Sequence, residues 1–200
     1  MLLFAGLGNP SPKYARHRHN IGFLVLDEIV RRHGFQSWRV KHHGYATKGQ
    51  LGREAILALK PTTYMNLSGT SVGDAMRFYK LAPADVTVFH DEIDLVAGRV
   101  RVKTGGGTAG HNGIRSVDAH IGGGFRRVRI GVGHPGDKDL VESFVLHDFG
   151  SAEMTWVEPL VGAIAGATPL LADGDEPGFL NEIALKTRPP KSKDADPDAE

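Results

Sequence analysis

Leu2-Leu3-Phe4-Ala5-Gly6-Leu7-Gly8-Asn9-Pro10 is an apolar run that stops on a glycine–asparagine–proline turn. A run this short, closed by Gly and Pro, reads as a buried strand. Beyond it, Ile21, Leu24, Val25 and Ile29 recur at helical spacing between Asn20 and His33, and Gly34 supplies the stop. Strand followed by amphipathic helix is the opening of an α/β unit, and the alternation continues. Tyr45–Leu51 and Ala55–Leu59 read as strands joined at Gly52-Arg53, and a helix is expected from Gly69 to Lys80 after Pro61. Val86–Phe89 reads as a short central strand, with Arg99–Lys103 and Val128–Val132 as two more; Asn112–Ile121 and Glu153–Leu171 read as helices. No internal repeat is present. The pattern predicts a single α/β domain over residues 1–186, with a mixed, mostly parallel twisted sheet and helices on both faces. Residues 187–200 carry three prolines, seven charges and no aromatic residue, which reads as a disordered tail.

Composition narrows the function classes. Apolar residues at 40% and charged residues at 24% of 200 are globular values and exclude a chain disordered throughout. No apolar run approaches the roughly 18 residues of a membrane helix, and the start lacks a charged n-region and a cleavage pattern. A cytoplasmic domain without a secretory leader is therefore expected. The absence of cysteine excludes disulfides, thiolate zinc sites, iron–sulfur clusters and a cysteine nucleophile. The net charge of +1 conceals an asymmetry: residues 1–136 hold 19 Lys+Arg against 9 Asp+Glu, and residues 137–200 hold 5 against 14. Such a division fits a polyanionic partner, unless folding interleaves the halves and cancels the field.

In open α/β sheets, ligands bind beyond the carboxyl ends of the strands. That rule picks out Gly8-Asn9-Pro10, His90-Asp91-Glu92 and the glycine-rich run from Gly105 to Gly113 as loops that could assemble one site. The standard nucleotide motifs fail: Gly6-Leu7-Gly8 lacks a third glycine and has Pro10 in its turn, and no P-loop is present. No serine lies in a nucleophile elbow, and His-Glu-x-x-His is absent. The cluster at Asp91, Glu92 and Asp94 could hold Mg²⁺ through oxygen ligands, but one structural carboxylate beside two solvated ones explains it as well. His19 remains. A histidine near neutral pKa can take a proton from water, and Asp91 at the end of the central strand is placed to orient it. An isolated histidine in this position can equally be a cap or a surface residue.

At these residues the sequence resembles a known family. Gly6-Leu7-Gly8-Asn9-Pro10, Tyr14, Arg18-His19-Asn20-x-Gly22-Phe23, Pro61–Gly69, His90-Asp91-Glu92-x-Asp94-Leu95, Gly110-His111-Asn112-Gly113 and Arg129–Gly136 are similar, in order, to the motifs of bacterial-type peptidyl-tRNA hydrolases. The likeness covers about residues 1–185, and ordered motifs are far more specific than any single match. It implies a hydrolase cleaving the ester between a stalled peptide and tRNA, with His19 as general base and Asp91 as its partner. Asn9, Asn66 and Asn112 would hold the peptide, the attacking water and the oxyanion; Tyr14, Tyr64 and Met65 would line the peptide channel. Residues at i and i+2 of a strand share a face, so Arg99, Arg101 and Lys103 form one basic row and Arg127 and Arg129 a second, which could bind phosphate or simply keep an edge strand soluble. In the resemblance, Lys103 and Arg129 match the basic pair that grips the tRNA 5′ phosphate, with Arg101 and His111 as further tRNA contacts. The resemblance implies peptidyl-tRNA as partner, action as a monomer without an obligatory protein partner or membrane, and neither metal nor other cofactor. Two residues depart from the family pattern: Ser11 stands where glycine is usual, and His17 where threonine is common. A catalytically silent RNA-binding relative and a hydrolase of small esters or amides are the rival readings. The intact His19, Asp91 and asparagines count against the first, and the basic N-terminal portion against the second.

Overall fold

The computed structural model describes residues 1–188. The expected tail therefore lies outside the described residues except for Thr187 and Arg188, and Thr187 caps the last helix by donating its hydroxyl to the Ile183 carbonyl at 2.9 Å.

Seven strands form one sheet: β1 (Leu2–Gly6), β2 (Arg39–Lys41), β3 (Gly44–Leu51), β4 (Glu54–Pro61), β5 (Val86–Glu92), β6 (Val100–Thr104) and β7 (Arg126–Gly131). Their spatial order is β2-β3-β4-β1-β5-β7-β6. The central four, β4, β1, β5 and β7, are parallel neighbours, while β2, β3 and β6 join by antiparallel pairing at the two sides. The sheet is thus mixed with a parallel centre. Among the described residues six α-helices join the sheet: α1 (Ile21–Arg32), α2 (Ser68–Phe78), α3 (Asn112–Ile121), α4 (Val141–Val145), α5 (Ser151–Ala172) and α6 (Glu176–Lys186).

Strand alternation builds two cores. Phe4, Phe89, Val128 and Ile130 face α1, α5 and α6 with Val25, Ile164 and Phe179. Leu3, Val86 and Val88 face α2 and α3 with Val72, Ala75 and Val117. Among the described residues α5 alone is long and apolar enough to match a membrane span. Its apolar run is interrupted by small residues and by Glu153 and Glu158. In the fold Leu160, Ile164 and Leu171 are buried in the first core.

Three differences from the sequence reading position the site. First, β5 continues three residues beyond Phe89 through His90-Asp91-Glu92, all buried. Pairing to β7 through Glu92 outweighs the poor strand propensity of these residues. Second, the glycine-rich run does not start at the carboxyl edge. β6 is antiparallel to β7, with Thr104 opposite Arg126, so the run leaves from the opposite edge. It folds back along the sheet, and only its end, from Ala109 to Asn112, reaches the site. Third, β2, α4 and α6 carry no periodicity strong enough to have been anticipated.

The entry into α1 is set by backbone contact. A Cβ on Gly22 would meet the Phe89 carbonyl oxygen at 2.3 Å and the Leu7 nitrogen at 2.5 Å; one on Gly6 would meet the Gly22 carbonyl oxygen at 2.3 Å. Glycine at both positions lets α1 begin directly on the ends of β1 and β5. The histidine three residues before Gly22 is thereby carried to Asp91.

Candidate active site

Asp91 ends on the α1 side of β5 with its side chain only 2% exposed. His19 Nδ1 lies 2.9 Å from each of its carboxylate oxygens. A carboxylate only accepts, so His19 carries its proton on Nδ1 and keeps the Nε2 lone pair. Among the described residues Nε2 makes no hydrogen bond, and His19 lines the cavity. Burial works to lower the His19 pKa, but the charge and hydrogen bond of Asp91 outweigh it and leave it raised above the ordinary histidine value. For Asp91, burial works upward, yet His19 and His111 hold the carboxyl well below the usual range.

His111, expected among the tRNA contacts, is bonded to Asp91 as well. Its Nε2 lies 2.9 Å from Asp91 Oδ1, while its Nδ1 accepts from the Gly113 and Ile114 backbone N–H groups at 3.1 and 3.2 Å as the cap of α3. The cap fixes the tautomer: with Nδ1 accepting, Nε2 is the N–H that donates to Asp91. The same pattern answers whether His19, Asp91 and His111, whose ligating atoms lie within 4.8 Å of one another, suit a metal ion. A metal on His111 Nε2 would move the proton to Nδ1, against two backbone donors. The donor set fits a carboxylate between two N–H groups better than a metal. The oxygen cluster of Asp91, Glu92 and Asp94 does not form either, because Glu92 points to the opposite face and pairs with Arg129 at 2.9 Å.

A cavity of about 720 Å³ opens over His19 and Asp91, walled by Asn9, Tyr64, Met65, Asn66, His111 and Asn112. The amides are not equivalent. Asn9 Oδ1 accepts from the Met65 N–H at 2.8 Å, and its backbone is clamped by Asn20, which accepts from the Asn9 N–H and donates to the Asn9 carbonyl. Asn112 Oδ1 accepts from Arg115 at 2.6 Å. In both, the oxygen is occupied and the NH₂ group is the free end. Asn66 is exposed, and among the described residues its side chain makes no hydrogen bond. Met65 packs tightly enough that a Cβ on Gly113 would fall 2.5 Å from its sulfur. Tyr14 stands apart from the cavity lining, packed against His17 at 5.0 Å between ring centroids, with the Lys13 ammonium 4.6 Å from its ring.

A family model described as peptidyl-tRNA hydrolase matches residues 3–191. The chain belongs to the peptidyl-tRNA hydrolase family. It is 59% identical to the peptidyl-tRNA hydrolase of Parvibaculum lavamentivorans, over 99% of this chain and 100% of that protein. It is 55% identical to that of Dinoroseobacter shibae, over 98% of this chain and 84% of that protein. The crystal structure of the Acinetobacter baumannii peptidyl-tRNA hydrolase superposes with a TM-score of 0.86 at 38% identity, covering 92% of this chain and 94% of that one.

The basic rows of β6 and β7 lie on the other face of the sheet from Asp91. Arg101 pairs with Arg129 and Lys103 with Arg127 across β6 and β7, so all four share the face of His90 and Glu92. Lys103, Arg127 and Arg129 line a second cavity, of about 230 Å³, beneath the returning glycine-rich loop. Arg101 is exposed and outside that lining. Two motif residues to which the sequence assigns no role of their own, Asn20 and Arg18, organise the first site, and Arg127, expected only as part of a basic row, organises the second. Asn20 braces Asn9, and Arg127 is buried in the second cavity. Arg18 donates to Glu153 at 2.6 Å and to the Phe144 and His147 carbonyls, fixing the chain after α4 beside the cavity. Asn20 and Arg18 flank His19 in the motif, which was the available signal. The sequence leaves the row of Arg127 open between phosphate binding and surface charge and does not show that Arg127 is buried.

Proposed function

We propose that this chain cleaves the ester linking a peptide, or an N-blocked aminoacyl group, to the terminal ribose of tRNA, with His19 as general base. The observation that supports it most is the His19–Asp91 pair, whose free Nε2 faces a cavity walled by asparagine amides, in a chain matched to the family over almost all its length. A water in the cavity would attack the ester carbon while passing its proton to Nε2. The imidazolium formed lies against the Asp91 carboxylate, which favours its charge. The carbonyl oxygen gains negative charge, and the free NH₂ groups of Asn9 and Asn112 are donors for it that do not titrate. Collapse then breaks the bond to the ribose oxygen, which takes the proton back from His19. Peptide carboxylate and tRNA leave. Asn66, Tyr64 and Met65 would position the peptide and the water. An aminoacyl ester is already activated, so these groups suffice without a metal.

Lys103 and Arg129 would hold the 5′ phosphate of the tRNA, adjacent to the acceptor end being cleaved. Their shared cavity across the strand from Asp91 supports that reading. Release of tRNA from purified N-blocked aminoacyl-tRNA, measured with chelator present for the wild type and for His19→Ala, tests the whole reading. Turnover by the wild type alone is expected. Equal turnover by both would remove His19 from the mechanism.

A further inference from the structure

Arg127 is unusual on this surface because it is not on the surface. It is 3% exposed and sits mid-strand in β7, with its guanidinium 4.6 Å from the Phe125 ring centroid. Nη1 donates to the Gly107 carbonyl at 2.8 Å, but Nε and Nη2 are buried without a partner. Buried guanidinium N–H groups left unpaired are costly, and native structures rarely tolerate them without a reason. Both lie on a residue that lines the 230 Å³ cavity with Lys103, Arg129 and Thr108. His90, also 3% exposed, lines the same cavity. Its Nδ1 donates to the Asp91 carbonyl at 2.7 Å, which leaves Nε2 an unpartnered acceptor.

The charges of the lining are specific as well. Three cations, Lys103, Arg127 and Arg129, meet one carboxylate, Glu92, whose oxygens are held by Arg129 at 2.9 Å and the Asp94 N–H at 3.1 Å. His90 adds no charge, since burial holds its pKa down to about 3. The lining is therefore two positive charges in excess, with Asp118 acting on Arg127 only from outside it. A terminal phosphomonoester carries about −1.5 to −2 at neutral pH and an internal phosphodiester only −1. Glu92 engages Arg129 through Nε, leaving its terminal nitrogens to face a ligand.

We propose that Arg127 is the specificity-determining floor of this anion site, supplying the buried donors that let it select a terminal phosphomonoester over an internal phosphodiester. This rests on the reading that Lys103 and Arg129 hold the tRNA 5′ phosphate. Lys103 reaches in from the rim, Arg129 is oriented by Glu92, and Arg127 is pinned by Gly107 and Phe125, so its donors are fixed before the ligand arrives. Arg101, outside the lining, has no part in the selection.

The test compares kcat and KM for 5′-phosphorylated and enzymatically dephosphorylated N-acetyl-aminoacyl-tRNA, in wild type, Arg127→Gln and the Lys103→Ala/Arg129→Ala double variant. The wild type should favour the phosphorylated substrate through KM. Arg127→Gln should lose about tenfold of that preference through KM, as expected for charge-assisted hydrogen bonds. A second measurement needs no variant: in wild-type protein the Arg127 Nε–H resonance should shift with inorganic phosphate at pH 8 and stay put with dimethyl phosphate. If the double variant loses the preference while Arg127→Gln keeps it, or if the resonance ignores inorganic phosphate, Arg127 is only a latch for the glycine-rich loop and the proposal falls. If the wild type shows no preference at all, the assignment of Lys103 and Arg129 falls first and takes the proposal with it.

Discussion

Two cavities share one strand. On the α1 side of β5, Asp91 receives N–H groups from His19 and His111 and every oxygen is engaged. On the other side, His90 and Glu92 join Lys103, Arg127 and Arg129 around a space in which cations outnumber carboxylates and buried donors lack partners. The histidines show the contrast most directly. His19, beside a carboxylate, has its pKa raised; His90, one residue from that carboxylate but facing the other way, is buried among His111 and Arg127 and falls to about 3. A two-residue strand period thus separates the site proposed to move a proton from the one proposed to hold an anion.

The largest effects should come from breaking the first site alone. His19→Ala should lower kcat by about 10³-fold or more, and Asp91→Asn by a comparable factor through the wrong His19 tautomer. Dissociation constants for tRNA should change less than about threefold in both. Loss of binding in step with turnover would erase the division between the cavities. Breaking the second site should do the reverse. Lys103→Ala with Arg129→Ala should raise KM for peptidyl-tRNA and reduce the salt slope of binding by about one unit per lost contact, while leaving a minimal ester untouched. An unchanged salt slope would make the basic rows mere protection for an edge strand.

Most of the first site was legible in the sequence because its residues stand in compact motifs. His19, Asp91, Asn9, Asn66, Asn112, Tyr64 and Met65 converge on one cavity, whereas Tyr14 does not join them. The helices were legible where apolar spacing was clear, and α3 runs from Asn112 to Ile121 as the spacing required. The second site was harder to read. Alternation along β6 and β7 put their basic residues on one face, but it could not show that the glycine-rich loop leaves from the opposite edge and roofs them. Nor could it show that Arg127 is buried while its row-mate Arg101 is exposed. Strand order and direction decide both, and they are long-range properties.

Smaller effects sharpen the contrast through stability. A histidine with a depressed folded pKa contributes stability that is fully present above its unfolded value and is lost as pH falls towards the folded one. For His90 that window runs from about 6.5 down to about 3, with a slope of up to about 1.4 kcal/mol per pH unit. His19 has the opposite sign, since its raised pKa adds stability at low pH that is lost as pH rises through the folded value. Denaturant melts of the wild type and His90→Asn between pH 7 and 4 should converge as pH falls. Parallel curves would mean that His90 already titrates normally.

The smallest effect concerns Ser11, which departs from the family's usual glycine. Its φ of 131° lies where glycine is favoured. Ser11→Gly should stabilise the fold by about 1 kcal/mol, the strain relieved exceeding the added freedom of the unfolded chain. A destabilised variant in thermal melts would show that the serine is held there by something more than its neighbours' backbone.

The central claim is that His19 acts as a base because Asp91 holds it, and the pH dependence of kcat/KM tests it most directly. On N-blocked aminoacyl-tRNA the wild-type rate should fall on acidification with a midpoint above about 6.5, because His19 must be neutral to accept a proton and Asp91 raises its pKa. In Asp91→Asn the residual activity should show the same acid limb displaced to lower pH. A wild-type profile that is flat from pH 5 to 8, or an acid limb that Asp91→Asn leaves in place, would contradict the account.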